Sequence, residues 1–177
     1  MKISLAWLGD YIEFTENDPQ KISDAITAHV AEVDEVEVQG GLLENCCVGK
    51  VLTLDKHPNA DKLQLCDVLT DKGTKKVVCG GANLRIGMRI AFAHVGARVK
   101  WHGEDLMTLE PVKIRGEQSE GMICAAEELG IESLYPECTG HDIVDMGDGD
   151  ENVGKPLREV LDLSDTIRSE EHTSELQ

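Results

Sequence analysis

From Val48 to His141 the chain is cut into short apolar runs separated at close intervals by turn residues, and this spacing limits the fold more than any other feature. The runs are VGKVLTL, LQLCDVL, KKVVC, RIAFAHV, ARVKW, PVKI and GMICA. Between them stand Pro58 with Asn59, Asp71 to Gly73, Gly80 with Gly81, Gly87, Gly96 and Gly103. Strands of this length, each ended by a residue that favours a turn or bulge, give an all-β barrel or sandwich rather than a helical or parallel α/β domain. The core has to be aliphatic, because aromatic residues are 3% of the chain while apolar residues are 41%. Few rings are left for stacking on bases.

Charge is divided as sharply as structure. The formal net charge is −17, which on its own argues against a polyanionic partner. Residues 1–49 carry 2 basic and 10 acidic side chains, residues 50–115 carry 12 and 7, and residues 116–177 carry 3 and 17. The strand-rich segment is therefore a basic island between acidic flanks, and it can present a positive face to phosphates.

Within the island's border, VKIRGEQSEGMICAAEELGI (Val112 to Ile131) concentrates the most information. Lys113 and Arg115 alternate with Val112 and Ile114 at the period of a half-buried strand, which would point both cations to one side. Gly116 ends that strand. Ser119, Glu120 and Gly121 form a polar corner, and a short helix from Ala125 to Leu129 closes on Gly130 as its C-terminal cap. An ordinary strand, loop and helix fits the same local pattern.

The flanks read differently. In the first segment Ser4 can cap a helix carrying Leu5, Leu8, Tyr11 and Ile12. Asp18-Pro19 starts a second helix with Ile22, Ala25, Ile26 and His29 or Val30 on its inner face. Val33, Val36 and Val38 then follow strand spacing. After His141 the acidic HDIVDMGDGDENVGKPL reads as a solvated loop; its DGDEN run lacks the alternating ligand spacing and flanking helices of a calcium loop. Leu157, Val160, Leu161 and Leu163 begin an amphipathic helix expected to pack back on the first segment.

No metal or catalytic site is expected. Cys46, Cys47, Cys66, Cys79, Cys124 and Cys138 show none of the paired spacings of zinc or redox motifs, and most read as buried thiols. His57 with Asp61 supplies only two ligands, so HPNADKL reads as a turn that presents Lys62. VVCGGANLRIGM is not a P-loop, lacking the Lys and Ser or Thr after its second glycine. No run approaches eighteen apolar residues, and MKISLAWLGDYIEF carries charges without a small-residue cleavage site, so the expectation is a soluble cytoplasmic protein with no membrane partner.

A barrel of about five strands in roughly 100 residues has the size of an OB-fold, whose strands and loops bind oligonucleotides. Six blocks in order, VGKVL, HPNADKL, VCGGAN, GMRIAFAHVGA, KIRGEQSEGMIC and EELGI, resemble the tRNA-binding OB module shared by phenylalanyl-tRNA synthetase β subunits, methionyl-tRNA synthetase extensions and free-standing tRNA-binding proteins. MKISLAWLGDYI resembles the opening of the bacterial phenylalanyl-tRNA synthetase β subunit. The resemblance implies a mainly β fold, with a five-stranded OB barrel inserted in a small α/β domain. Its first half is residues 1–39, the barrel 40–150, and its second half starts at 151–167. Residues 168–177, RSEEHTSELQ, resemble a translated sequencing adapter, a non-native tail.

The same resemblance implies a tRNA-facing surface of Asn59, Lys62, Lys113, Arg115, Ser119, Glu120 and Met122. It implies a complete α₂β₂ enzyme, with an α subunit as partner, that uses ATP and Mg²⁺ to attach phenylalanine to tRNA. Nothing in the chain offers an ATP site, a nucleophile or a paired acid and base, so this part is expected to be non-catalytic. A free-standing tRNA-binding chaperone is the alternative. Where the family commonly has Ala-Pro, this chain has Gly81 and Ala82 before Asn83, which predicts a less rigid corner.

Overall fold

The computed structural model describes residues 2–9, 11–13, 15, 18–30, 32–33, 35–38, 40–101, 105–139, 142–163 and 166–169. They fall into two units, one of residues 1–41 with 163–177 and one of residues 42–162. The chain thus leaves its first unit, builds the whole second unit, and returns to the first.

In the first unit β1 (Lys2–Ser4) leads into α1 (Leu5–Gly9), then α2 (Pro19–His29) and β2 (Glu35–Val38). The Asp18 carboxylate accepts the Gln20 amide at 3.0 Å, and Pro19, which has no amide hydrogen to satisfy, occupies the first turn of α2. Ile22 is buried as its position on the stripe requires, whereas Ala25 is exposed and Ser23 takes an inner position. The first helix is shorter than its sequence pattern: it ends at Gly9, and Tyr11 and Ile12 are exposed.

The second unit opens with a 3₁₀ turn over Gly41–Leu43, followed by β3 (Cys46–Lys56), β4 (Gln64–Thr70), β5 (Gly73–Cys79) and β6 (Met88–Ala93). Next come β7 (Arg98–Lys100), β8 (Leu106–Thr108), β9 (Val112–Ile114), β10 (Glu117–Ser119) and β11 (Met122–Ile123). They are followed by α3 (Ala126–Leu129), β12 (Asp145–Asp148) and α4 (Leu157–Val160). The last strand, β13 (Thr166–Ser169), belongs to the first unit and lies between β1 and β2, antiparallel to both. Arg168 and Ser169 of the anomalous tail are therefore in this strand, and residues 170–177 lie outside the described residues.

The second unit is a nearly closed antiparallel barrel of the OB type. Its strand order is β11-β6-β3-β4-β5, with β12 also on β6. The long β3 pairs with β6 through Cys46 to Lys50 and with β4 through Lys50 to Lys56, bulging between Val51 and Thr53. That bulge lets one strand serve two sides of the barrel. A Cβ at Gly49 would come within 2.8 Å of both Ile90 and Val68 side chains, so only glycine fits where β3 crosses the core. The core is aliphatic as composition requires: Val51, Val68, Val77, Met88, Ile90 and Phe92 are fully buried. Burial of each such side chain is worth roughly 1.5–3 kcal/mol.

The corner at Ser119 to Gly121 closes the barrel. Glu120 N–H donates to the Lys76 carbonyl at 2.9 Å, Val78 N–H donates to Ser119 Oγ at 3.2 Å, and Ser119 Oγ–H donates to the Gly121 carbonyl at 3.0 Å. The chain then passes to the other edge as β11, pairing Met122 with Ala93 and Ile123 with Phe92. The short helix forms as its sequence predicts, with Gly130 in the left-handed conformation (φ 66°) and Ile131 N–H donating to the Ala126 carbonyl at 3.0 Å.

Two readings of the acidic segment change. Residues 145–148, expected in a solvated loop, form β12, because β6 offers an unpaired edge there and Ile143 and Val144 are buried beside it. The helix at Leu157, expected to turn back on the first segment, packs on β3: Leu157 is fully buried and Pro156 bridges to Cys47. Of its four apolar positions, Leu157 alone is fully buried.

Gly121 combines a φ of 139° with a hypothetical Cβ 2.6 Å from Phe92 Cζ and 2.8 Å from the Ala93 carbonyl oxygen. Gly121→Ala is expected to destabilise the barrel by roughly 2–4 kcal/mol, read as a lower urea midpoint at unchanged slope.

Candidate nucleic-acid interface

Lys113 lies in β9, but Arg115 does not continue that strand. Arg115 and Gly116 are the two central residues of the β9–β10 hairpin, with φ values of 48° and 100°. A two-residue hairpin with positive φ at both positions matches the right-handed twist of its strands. The alternation that would put both cations on one side of a strand therefore ends at Ile114, and Arg115 projects from the tip.

That tip is fixed to a second loop. His57 is 5% exposed. Its Nδ1 accepts the Asn59 amide at 3.1 Å, which leaves Nε2–H to donate to the Ile114 carbonyl at 3.1 Å. Asn59 Nδ2 donates to the Arg115 carbonyl, also at 3.1 Å. The HPNADKL turn is thus held by His57 and Asn59, with both reaching across to the hairpin. Lys62 follows on the same turn and lines a groove of about 550 Å³ with Lys56, Gln64 and the Gly80–Ala82 corner.

The corner is braced without a proline. Asn83 Nδ2 donates to the Ile143 carbonyl and Ile143 N–H donates to Asn83 Oδ1, both at 3.0 Å, so one side chain reproduces a strand-like double bond. A Cβ on Gly81 would meet Ile143 Cγ2 at 2.8 Å. Asn83 braces the corner through these two bonds, and Ile143 requires the glycine.

The remaining expected residues separate by environment. Glu120 is exposed and lines a cleft of about 300 Å³ with Lys72, Lys75, His94, Pro111 and Gln118. Gln118 is the cross-strand partner of Lys113, and directly paired residues project from the same face. Lys113 therefore belongs with the cleft bearing Lys72 and Lys75, while Asn59, Lys62 and Arg115 cluster at the neighbouring loop end. Met122 is half-buried in β11. Ser119 is 2% exposed, and its hydroxyl both accepts and donates within the barrel seam.

Three other cations of the basic island are already engaged. Arg85 binds Asp145 through Nη1 at 2.5 Å and Nη2 at 3.0 Å, and Asp148 through Nε at 2.8 Å. Lys50 pairs with Asp150, and Arg89 donates to the Met146 and Glu151 carbonyls. Among the described residues Lys62, Lys72, Lys75, Lys113 and Arg115 form no ion pair. The acidic segment thus pairs with Lys50, Arg85 and Arg89 and, among the described residues, leaves the cations of the hairpin, the HPNADKL turn and the β4–β5 turn without ion-pair partners. Lys72 and Lys75 are additions that the charge count by segment contains but does not place.

A positive face built on barrel loops, with a turn and a hairpin tip locked together, suits a phosphate backbone. Residues 46–146 match the family described as "Putative tRNA binding domain", and the chain belongs to that family. Over 94% of its length it is similar to phenylalanine–tRNA ligase β subunits: 40% identical to that of Syntrophus aciditrophicus, 37% to that of Chlorobaculum tepidum and 36% to that of Legionella pneumophila. The chain spans about a fifth of the length of these relatives, 19–20%. No helix among the described residues is long and apolar enough to cross a membrane.

The Arg85 guanidinium holds the Asp145 carboxyl below the usual range, with the Gly147 amide assisting and partial burial opposing. A depressed folded value means that this pairing stabilises fully above the unfolded Asp value of about 3.9 and is lost as pH falls through the lower folded value. Arg85→Ala should therefore lower stability at neutral pH and raise the midpoint of acid unfolding, measured by circular dichroism against pH.

Proposed function

We propose that this chain is the tRNA-binding part of a phenylalanine–tRNA ligase β subunit, and that Lys62, Lys113 and Arg115 hold phosphates of tRNA. The observation that carries this reading is the set of hydrogen bonds from His57 and Asn59 to Ile114 and Arg115, which ties the Lys62 loop to the hairpin that carries Lys113 and Arg115. Asn59 positions the hairpin tip, Glu120 accepts from a base amine, and Met122 supports the strand beneath. Ser119 acts through the seam that sets the corner. With few rings at hand, the face reads backbone shape rather than stacked bases.

The complete enzyme joins this subunit to an α subunit in an α₂β₂ assembly in the cytoplasm. ATP and Mg²⁺ are used there to attach phenylalanine to tRNA. The role proposed for the residues of this face is to bind and orient tRNA. Mixed with an α subunit alone, this chain should give no aminoacylation in a charging assay.

Filter binding of tRNA across a salt series tests the face. Replacing both Lys113 and Arg115 by Ala should weaken binding and flatten the logarithmic salt slope by about 1.4–1.8, one phosphate contact for each cation. Ser119→Ala should instead cost about 1–3 kcal/mol of stability, the Val78 amide being left without its partner, and leave the slope unchanged. No binding at low salt, or a slope indifferent to the double substitution, would refute the reading in favour of a barrel that contacts only protein.

A further inference from the structure

One cluster of reactive side chains adjoins the cleft that carries Lys72 and Lys75. Cys47 Sγ, Asp71 Oδ1 and His94 Nε2 all lie within 4.8 Å of one another. Nε2 is 3.5 Å from the sulfur and 2.6 Å from the carboxylate oxygen. The thiol and the carboxylate therefore converge on the same ring nitrogen. A nucleophile relay would need the acid on one imidazole nitrogen and the thiol on the other. Three donor atoms gathered round one point, one each of sulfur, nitrogen and oxygen, is instead the arrangement that a cation collects.

We propose that Cys47, Asp71 and His94 form a three-ligand site for one divalent transition-metal ion of the zinc class. Two ligands sit on rigid barrel structure. Cys47 pairs with Phe92 across β3 and β6, and His94, which directly follows β6, donates its amide to Asn45 and packs edge-on against Phe92 with ring centroids 5.1 Å apart. The third ligand comes from the β4–β5 turn. That turn is shaped by Thr70, whose hydroxyl donates to the Gly73 carbonyl at 2.7 Å and accepts the Lys72 amide at 3.1 Å. The Asp71 backbone rests on Gly154, where a Cβ would stand 3.5 Å away.

One of the three edges already suits zinc. Bond lengths of about 2.3 Å to sulfur and about 2.0–2.2 Å to nitrogen and oxygen put tetrahedral edges at about 3.3–3.6 Å. The sulfur–nitrogen distance already has that value. The nitrogen–oxygen distance has to open by about 0.7 Å, and the Asp71 side chain, 38% exposed on its turn, is the ligand with room to do so.

The test is a Co²⁺ titration of the reduced, tag-free 177-residue chain, followed by its visible d–d bands and its near-ultraviolet thiolate-to-cobalt charge-transfer band. One equivalent of Co²⁺ is expected to develop both, and Zn²⁺ to abolish them by displacement and raise the melting temperature. His94→Gln and Asp71→Asn, each checked for folding by circular dichroism, should weaken cobalt affinity, and they serve even where Cys47→Ser does not fold. Cys138→Ser should leave the bands intact. The proposal falls with no thiolate band at one equivalent, with unchanged affinity in both the His94 and Asp71 variants, or with loss of the band in Cys138→Ser.

Discussion

The hydrogen bond from the Glu120 amide to the Lys76 carbonyl is the contact on which the rest of the barrel depends. Five strands in series leave two open edges, and an open edge of unpaired amides and carbonyls is costly to bury. This bond, with Val78 donating to Ser119 Oγ, joins the β5 edge to the corner that leads into β11 on the opposite edge. Closure also fixes the β9–β10 hairpin beside β5, and the cleft that carries Lys72, Lys75 and Glu120 exists because of it. Ser119 is a polar residue at the centre of KIRGEQSEGMIC, yet its polarity is spent inside the seam. A conspicuous sequence position thus serves the interface by shaping it.

Electrostatics follow from the same geometry. A chain with net charge −17 can offer phosphates a favourable surface only if its cations are sorted, because opposite charges within a Debye length of about 8–10 Å cancel. The sorting is done by β12 and the loop after it. Their carboxylates and carbonyls engage Lys50, Arg85 and Arg89 on one side of the barrel. The cations of the β4–β5 turn, the HPNADKL turn and the hairpin are left facing outward. The acidic segment that looked like solvated chain is a structural counter-charge.

Elements governed by local chemistry were legible in the sequence: the strand runs cut by turn residues, the helix starting at Asp18-Pro19, and the α3 turn ending on Gly130. What escaped depends on partners distant in the chain. Asp145 to Asp148 read as loop because their residue types disfavour strand, and the unpaired edge of β6, some fifty residues earlier, overrides that preference. Arg115 read as strand because alternation was counted through it, whereas the hairpin demands two residues of positive φ at that place. His57 gave no signal beyond a turn, since its acceptor, the Ile114 carbonyl, is contributed by backbone. Cys47, Asp71 and His94 come from three different parts of the barrel, so no spacing rule for metal ligands could have joined them.

The order of assembly also follows from where the strands lie. The middle strand of the first unit's sheet, β13, is synthesised after the entire barrel, so β2 and β13 pair across the inserted domain. An unfolded insert would make that a long closure. The folded barrel shortens it by pairing its own beginning with its own end: Val48 donates to the Lys155 carbonyl at 3.0 Å, Gly154 donates to the Val48 carbonyl at 2.8 Å, and Cys47 bridges to Pro156. The stretch of chain to be closed between β2 and β13 falls from roughly 130 residues to roughly 20, a saving on the order of 1–2 kcal/mol in closure entropy. Closing the sheet therefore costs less once the barrel has formed, and the α4 segment that seats Pro156 and Leu157 against β3 is what brings the two ends of the insert together.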